Sequence, residues 1–317
     1  PSDRAPEQIP ADPPVGDPRS ASANADSTRD TRFFGQPLAL ANVFGVEMWE
    51  RFSFYGMQGI LLIYMYFSVT EGGLGIDRVV ATGIVGAYGG AVYLFAILGA
   101  WLADRVMGSE RVLFASAIVI MGGHIALAVL PSALGLGVGL VLVAIGSGGL
   151  KANATSVVGT LYAAGDDRRD AGFSLFYLGI NLGAFLGPII TGLLQSTVGF
   201  HWGFGAAAVG RAIGLIQYSF GRKHLPASSR VVTNPLPKRQ RPRIILLALA
   251  AIAVIVVLVL VGAIRADNLA SIVIIIVAAA AIVYFIVIIS SKQITPTERS
   301  RVTGFIPLFI VNVGFWS

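Results

Sequence analysis

Two apolar runs, 244–264 and 269–289, follow each other with only Arg265-Ala-Asp-Asn268 between them. Each is long enough to cross the roughly 30 Å of bilayer hydrocarbon as a single helix. Almost no polar side chain interrupts either run. In water such surfaces would need a large protein cover. In lipid they need none, because a helix satisfies its own backbone hydrogen bonds. So short a connection makes the pair a hairpin that returns to the side it left. A helix apolar all round packs or faces lipid, so chemistry is expected elsewhere in the chain.

Six more runs of spanning length precede the hairpin, at 42–67, 79–102, 112–130, 134–161, 173–197 and 202–220. Only 13% of residues are charged, against about 25% in an ordinary soluble domain. The fold class is therefore an all-α membrane protein. A net charge of +6 would suit a nucleic-acid partner, but the basic residues sit where a membrane protein places them. They fill the tail (Arg4, Arg19, Arg29, Arg32), two loops (Arg105 and Arg111; Arg168 and Arg169), the linker 221–243, and 290–301 (Lys292, Arg299, Arg301). The opposite loops hold only Arg78 and Arg265. This asymmetry orients the N-terminus to the cytoplasm of a multi-pass protein in the cell's inner membrane, with lipid and not nucleic acid as its surroundings. The expected organisation is a disordered cytoplasmic tail (1–34), a six-span bundle (35–220), a basic cytoplasmic linker (221–243), the transmembrane hairpin (244–289), a second cytoplasmic linker (290–301) and the incomplete first helix of a second bundle (302–317). There is no cysteine and there are only three histidines, so no disulfide, metal or cofactor is expected.

The first span carries the ionisable side chains. In Glu47-Met-Trp-Glu-Arg-Phe-Ser-Phe-Tyr-Gly56, helical spacing puts Glu47, Glu50, Arg51, Phe54, Tyr55 and Gln58 on one stripe. A charge at mid-bilayer costs about 2.5–3.5 kcal/mol on insertion scales. Such groups persist when they face a protein interior or a watery cavity. Two acids and one base leave one acid over, and an acid in a cavity is a site for a proton. An ion pair of Glu47 with Arg51 that only fixes helix packing is the plainer alternative. Lys151 is a second intramembrane cation. Gly179, Gly183 and Gly187 recur every fourth residue and suggest a close-packing ridge. His124 reads as a satisfied packing residue. Arg211 stands in the sixth span, where an apolar residue is expected, and nothing in the sequence accounts for it.

Several motifs resemble known families. Gly99-Ala-Trp-Leu-Ala-Asp-Arg-Val-Met-Gly108 is similar to the loop signature of the major facilitator superfamily. The resemblance implies a conformational latch at Gly99, Asp104, Arg105 and Gly108, with Asp104 and Arg105 bridging to neighbouring helix ends. Glu47-x-x-Glu-Arg-Phe-Ser-Phe-Tyr-Gly56, Gly146-Ser-Gly-Gly-Leu-Lys-Ala-Asn153, the fifth-span pattern Phe173-Ser-Leu-Phe-Tyr-Leu-Gly-Ile-Asn-Leu-Gly-Ala184 and His201-Trp-Gly-Phe-Gly-Ala206 resemble, in order, signatures of the proton-dependent oligopeptide transporter family. These four matches cover the six-span block, and the inserted hairpin suits bacterial members.

The resemblance implies proton-coupled symport of di- and tripeptides into the cell by alternating access, and no enzyme activity. It assigns proton coupling to Glu47 and Glu50. It assigns contact with the peptide to Arg51, Tyr55, Gln58, Tyr93, Lys151 and Asn181. Phe54 and Gln58 depart from a tyrosine and an arginine found in other members, and Ala152 replaces a proline. Alternating access needs a second six-span bundle, so the chain is expected to be the N-terminal part of a longer transporter. A transport-inactive product, a stand-alone membrane binding or scaffold protein, and a carrier of nitrate or another small solute remain the alternatives.

Overall fold

The computed structural model describes residues 30–130, 132–163, 165–291 and 294–316. The expected disordered tail lies outside these as far as residue 29. Among the described residues the long elements are all helices: α1 (Leu38–Tyr66), α2 (Arg78–Leu102), α3 (Ser109–Val129), α4 (Ser132–Gly159), α5 (Arg169–Thr197), α6 (Phe200–Gly221), α7 (Arg241–Leu260), α8 (Leu269–Ser290) and α9 (Pro296–Trp316). Six of these, α2, α3, α4, α5, α7 and α8, are long and apolar enough to cross a membrane. The polar and charged side chains of α1, and His201, Arg211 and Gln217 of α6, keep those two below that measure.

The chain divides into two compact units, one built from residues up to Leu61 with Phe95–Pro237, the other from Leu62–Leu94 with Lys238–Ser317. In the first, small residues set the helix spacing. A side chain on Gly183 would strike the Met48 carbonyl, and one on Gly187 would strike the Phe52 carbonyl. The α5 ridge thus lies directly against the α1 backbone, as the four-residue glycine repeat predicts. Thr191 seals this crossing by donating to Gly56 O at 2.8 Å. At the α2–α4 crossing a Cβ on Gly99 would come within 2.5 Å of Gly149 Cα. Asn153 donates there to Gly99 O at 3.3 Å and to Gly149 O at 2.8 Å. With Ala152 in the place of a proline, α4 runs unbroken through this region.

In the second unit α7 ends at Leu260, four residues before the apolar run does. Gly262, at φ +74°, turns the chain, and Ala263 N donates to Leu258 O at 2.9 Å. Asn268 then ties the turn by accepting from Arg265 N and donating to Ala263 O, each at 2.9 Å. A Cβ on Gly90 of α2 would come within 2.6 Å of Val273 of α8. Helix α9 begins at Pro296, within the expected polar linker. Thr295 and Glu298 cap it reciprocally: Glu298 N donates to Thr295 Oγ1 at 3.3 Å and Thr295 N to Glu298 Oε2 at 2.8 Å. This capping box with proline at the first helical position starts a helix before the apolar residues do.

Candidate functional site

Helix α1 divides its polar stripe in two. Glu47, Glu50 and Arg51 are buried inside the first unit, whereas Tyr55 is 39% exposed and Gln58 half-buried. The change occurs within two helical turns. Both acids converge on a single nitrogen. Arg51 Nε lies 2.9 Å from Glu47 Oε1 and 2.8 Å from Glu50 Oε2. Ser147 Oγ of α4 donates to Glu50 Oε1 at 3.2 Å. The Arg51 guanidinium sits 5.6 Å from the centre of the Phe54 ring. Its two terminal nitrogens form no hydrogen bond among the described residues, so the guanidinium fork is not consumed by the acids.

The expectation that one acid is left over therefore needs correction. Neither Glu47 nor Glu50 stands apart from Arg51, and a second base shares the site. Arg211 of α6 is fully buried between Gly210 and Gly214, which lie against Phe52 and Trp49 of α1, and among the described residues it forms no direct ion pair with either acid. Gly210 and Gly214 explain how α6 comes so near. An added Cβ on Gly210 would lie 2.5 Å from the Phe52 ring, and one on Gly214 would lie 2.7 Å from Trp49 Cβ. His124 of α3 is also fully buried, but neither ring nitrogen has a hydrogen-bond partner among the described residues. It is not the satisfied packing residue that the sequence suggests.

The other candidate contact residues are placed less closely. Lys151 lies one helical turn beyond Ser147 on α4 and is exposed. Asn181 is exposed on α5 and donates to Tyr177 O at 2.8 Å. Tyr93 belongs to the second unit and is 59% exposed there. A cavity of about 530 Å³ lies elsewhere in the first unit, on the apolar face of α1. Met48, Trp49 and Phe52 form one wall, Leu186 and Ile190 of α5 and Val209 of α6 the others. No charged residue lines it, so it is not the site.

The loop after α2 is held differently from the expected latch. Asp104 and Arg105 contribute their carbonyls: Asn234 N donates to Asp104 O at 2.9 Å and Leu236 N to Arg105 O at 2.8 Å. Among the described residues their side chains bridge to no helix end. Glu110 does so instead. It is fully buried at the start of α3 and pairs with Arg222 at 2.7 Å and Arg230 at 3.3 Å. Arg222 also stacks 3.9 Å over the Phe114 ring. Gly108 is required twice over. Its φ of +82° suits glycine, and a Cβ would lie 2.5 Å from Arg230 O.

A second polar corner anchors the start of α1. Asp30 accepts from Arg32 Nε at 2.9 Å and from Leu38 N at 3.0 Å. The Arg32 guanidinium holds its carboxyl well below the usual carboxylate range. Arg168 likewise holds Asp166 down, and it donates to Asp30 O at 3.1 Å. Tyr162 donates to Gln36 Oε1 at 2.9 Å, and burial pushes its hydroxyl up to about 12.

Ser147 and Glu110 are the polar residues whose partners the sequence does not reveal, and Arg211 and His124 are the ones whose complete burial it does not reveal. Ser147 had a signal, since it lies inside Gly146-Ser-Gly-Gly-Leu-Lys151 and four residues before the lysine.

Comparison with known proteins bears on this arrangement. The family model described as "POT family" matches residues 110–317. "Uncharacterized transporter YclF" of Bacillus subtilis is 43% identical over 286 residues, covering 90% of this chain and 58% of that protein. A "Di-/tripeptide transporter" of Lactococcus lactis subsp. lactis is 40% identical over 302 residues, covering 93% of this chain and 61% of the relative. Among solved structures, a peptide transporter POT in complex with sulfate superposes with a TM-score of 0.85 at 42% identity, covering 94% of this chain and 61% of the other. A POT family transporter in complex with 5-aminolevulinic acid gives 0.86 at 40% identity, covering 92% and 61%. The chain thus spans about three-fifths of the length of the relatives it matches.

Proposed function

The chain belongs to the POT family, and on that premise we propose that it supplies the proton-coupling half of a symporter for di- and tripeptides. The observation that carries this reading is the meeting of Glu47 and Glu50 on one nitrogen of Arg51. While both acids are ionised, Arg51 is held by two carboxylates. A proton taken up by either acid removes one of those attractions. The terminal nitrogens of Arg51 then offer a planar fork to the carboxylate of an incoming peptide. Lys151, one turn beyond Ser147, adds a point charge of the same sign. Proton and peptide are linked because they compete for, and complete, the charge around one guanidinium. Tyr55, Gln58 and Asn181 supply contacts to peptide backbone and side chains under this reading.

The names of the relatives support a peptide as the cargo, since one is a di-/tripeptide transporter. Transport itself is assigned to a protein with a second bundle, which contributes the partner for the peptide's amino end and half of each gate. Intact mass of the protein purified from its own membranes tests this requirement. A value of about 55 kDa is expected, since the 33.3 kDa of this chain covers 61% of a relative's length.

The functional test is dipeptide uptake driven by a pH gradient into liposomes carrying the full-length gene product. Glu47→Gln and Glu50→Gln are each expected to abolish accumulation against a gradient while exchange of peptide across the membrane continues. If both variants keep full proton-driven uptake, the shared-guanidinium mechanism is wrong.

A further inference from the structure

Arg211 is a misfit by every local rule. It is a fully buried cation in a helix otherwise built of apolar and small residues. Its Nε, Nη1 and Nη2 have no hydrogen-bond partner among the described residues. Several unmade hydrogen bonds around one buried charge are expensive. The same buried region holds the complementary shortage. Glu47 Oε2 is also buried and accepts no hydrogen bond among the described residues, while Glu50 Oε2 has only its ion pair with Arg51 Nε. The glycines at 210 and 214 bring α6 onto Trp49 and Phe52, residues interleaved with the two acids on α1. Counting charges, Glu47 and Glu50 balance Arg51 and Arg211, and the cluster is neutral. Without Arg211 it would carry one uncompensated negative charge in the interior. His124 of α3 is buried with neither ring nitrogen hydrogen-bonded among the described residues, and an imidazole carries no negative charge that could compete for Arg211.

We infer that Arg211 is the second counter-ion of the Glu47–Glu50 pair, a positioning residue to which one carboxylate is handed when Arg51 turns to other work. The two cations then have distinct duties. Arg51 is the exchangeable partner, beside the Phe54 ring on α1. Arg211 is the resident one, closed off on α6. This rests on the functional reading only for what Arg51 does when released. The pairing itself is independent of transport.

A double-mutant cycle on the full-length protein in detergent tests the pairing by thermal unfolding. Arg211→Met is expected to lower the midpoint by roughly 6–12 °C, since it strands a buried acid. The same substitution in a Glu47→Gln or Glu50→Gln background is expected to cost less than half as much in at least one case, because charge balance is restored. Arg211→Lys is expected to recover most of the loss. If Arg211→Met yields no folded protein, recovery of folded protein in the double variants supports the inference just as well. Equal losses in all backgrounds, or a Met variant as stable as the parent, overturn it. In liposomes, Arg211→Lys is expected to keep proton-driven uptake while Arg211→Met loses at least ten-fold. A parent protein that takes up no peptide would refute the functional reading and leave the unfolding cycle to decide on Arg211.

Discussion

Helix α1 and the α7–α8 hairpin solve the same problem, a helix in a bilayer, by opposite means. The hairpin has no buried residue in either helix. Its side chains are apolar on every side, so lipid covers most of their surface, and where α8 does meet a partner, Val273 against Gly90 of α2, no polar group has to be paired. Helix α1 buries two acids and a base. Those groups tolerate burial only because each meets a partner at hydrogen-bonding distance, supplied by its own turn, by α4 or by its neighbours in the cluster. Stability in the hairpin is diffuse and tolerant, and in α1 it is concentrated and specific. A charge inside a membrane marks function less by being there than by how completely its surroundings are built to hold it.

This contrast is broken most sharply by removing Arg51. Arg51→Met leaves Glu47 and Glu50 buried with one guanidinium fewer, and a loss of about 3–5 kcal/mol is expected, readable as a lower unfolding midpoint in detergent. An added charge in the hairpin comes next. Ile252→Asp, on the exposed surface of α7, is expected to cost about 2.5–3.5 kcal/mol in membrane insertion, measured as the inserted fraction of a glycosylation-tagged span. The smallest effect sharpens the comparison from the other side. Ile252→Val is expected to change unfolding by under about 0.5 kcal/mol, because no neighbour is fitted to the lost methyl. A similar tolerance for Phe52→Leu, which sits against Gly210, would show that α1 is no more specified than the hairpin.

The legibility of the sequence follows the same division. The hairpin was readable because apolarity over a long run is a one-dimensional property. The polar stripe of α1 was readable because helical periodicity places residues three and four apart on one face. The ridge at Gly179, Gly183 and Gly187 was readable for the same reason. What periodicity does not carry is the identity of a partner on another helix. Arg211 was visible as an anomaly, yet nothing local to α6 points to Glu47 and Glu50. Glu110 was passed over because its partner Arg222 lies 112 positions away in a basic linker, where one arginine looks like the next. The latch residues Asp104 and Arg105 drew attention as charged side chains, while the structure grips the loop by its carbonyls. Backbone hydrogen bonds are available at every residue, so the sequence does not single them out.

The bond between Arg51 and Glu47 is a contact between residues four apart. It is complete as soon as that single helix has left the ribosome. Ser147, which steadies Glu50, is synthesised 97 residues later, and Arg211 later still. Helix α1 therefore enters the insertion machinery with most of its charge already masked from within. It waits through the making of three helices for Ser147 and of five for Arg211. A substitution that separates Glu47 from Arg51 would thus act first on biogenesis, as a helix that the membrane declines to accept, before any question of how the finished protein works arises.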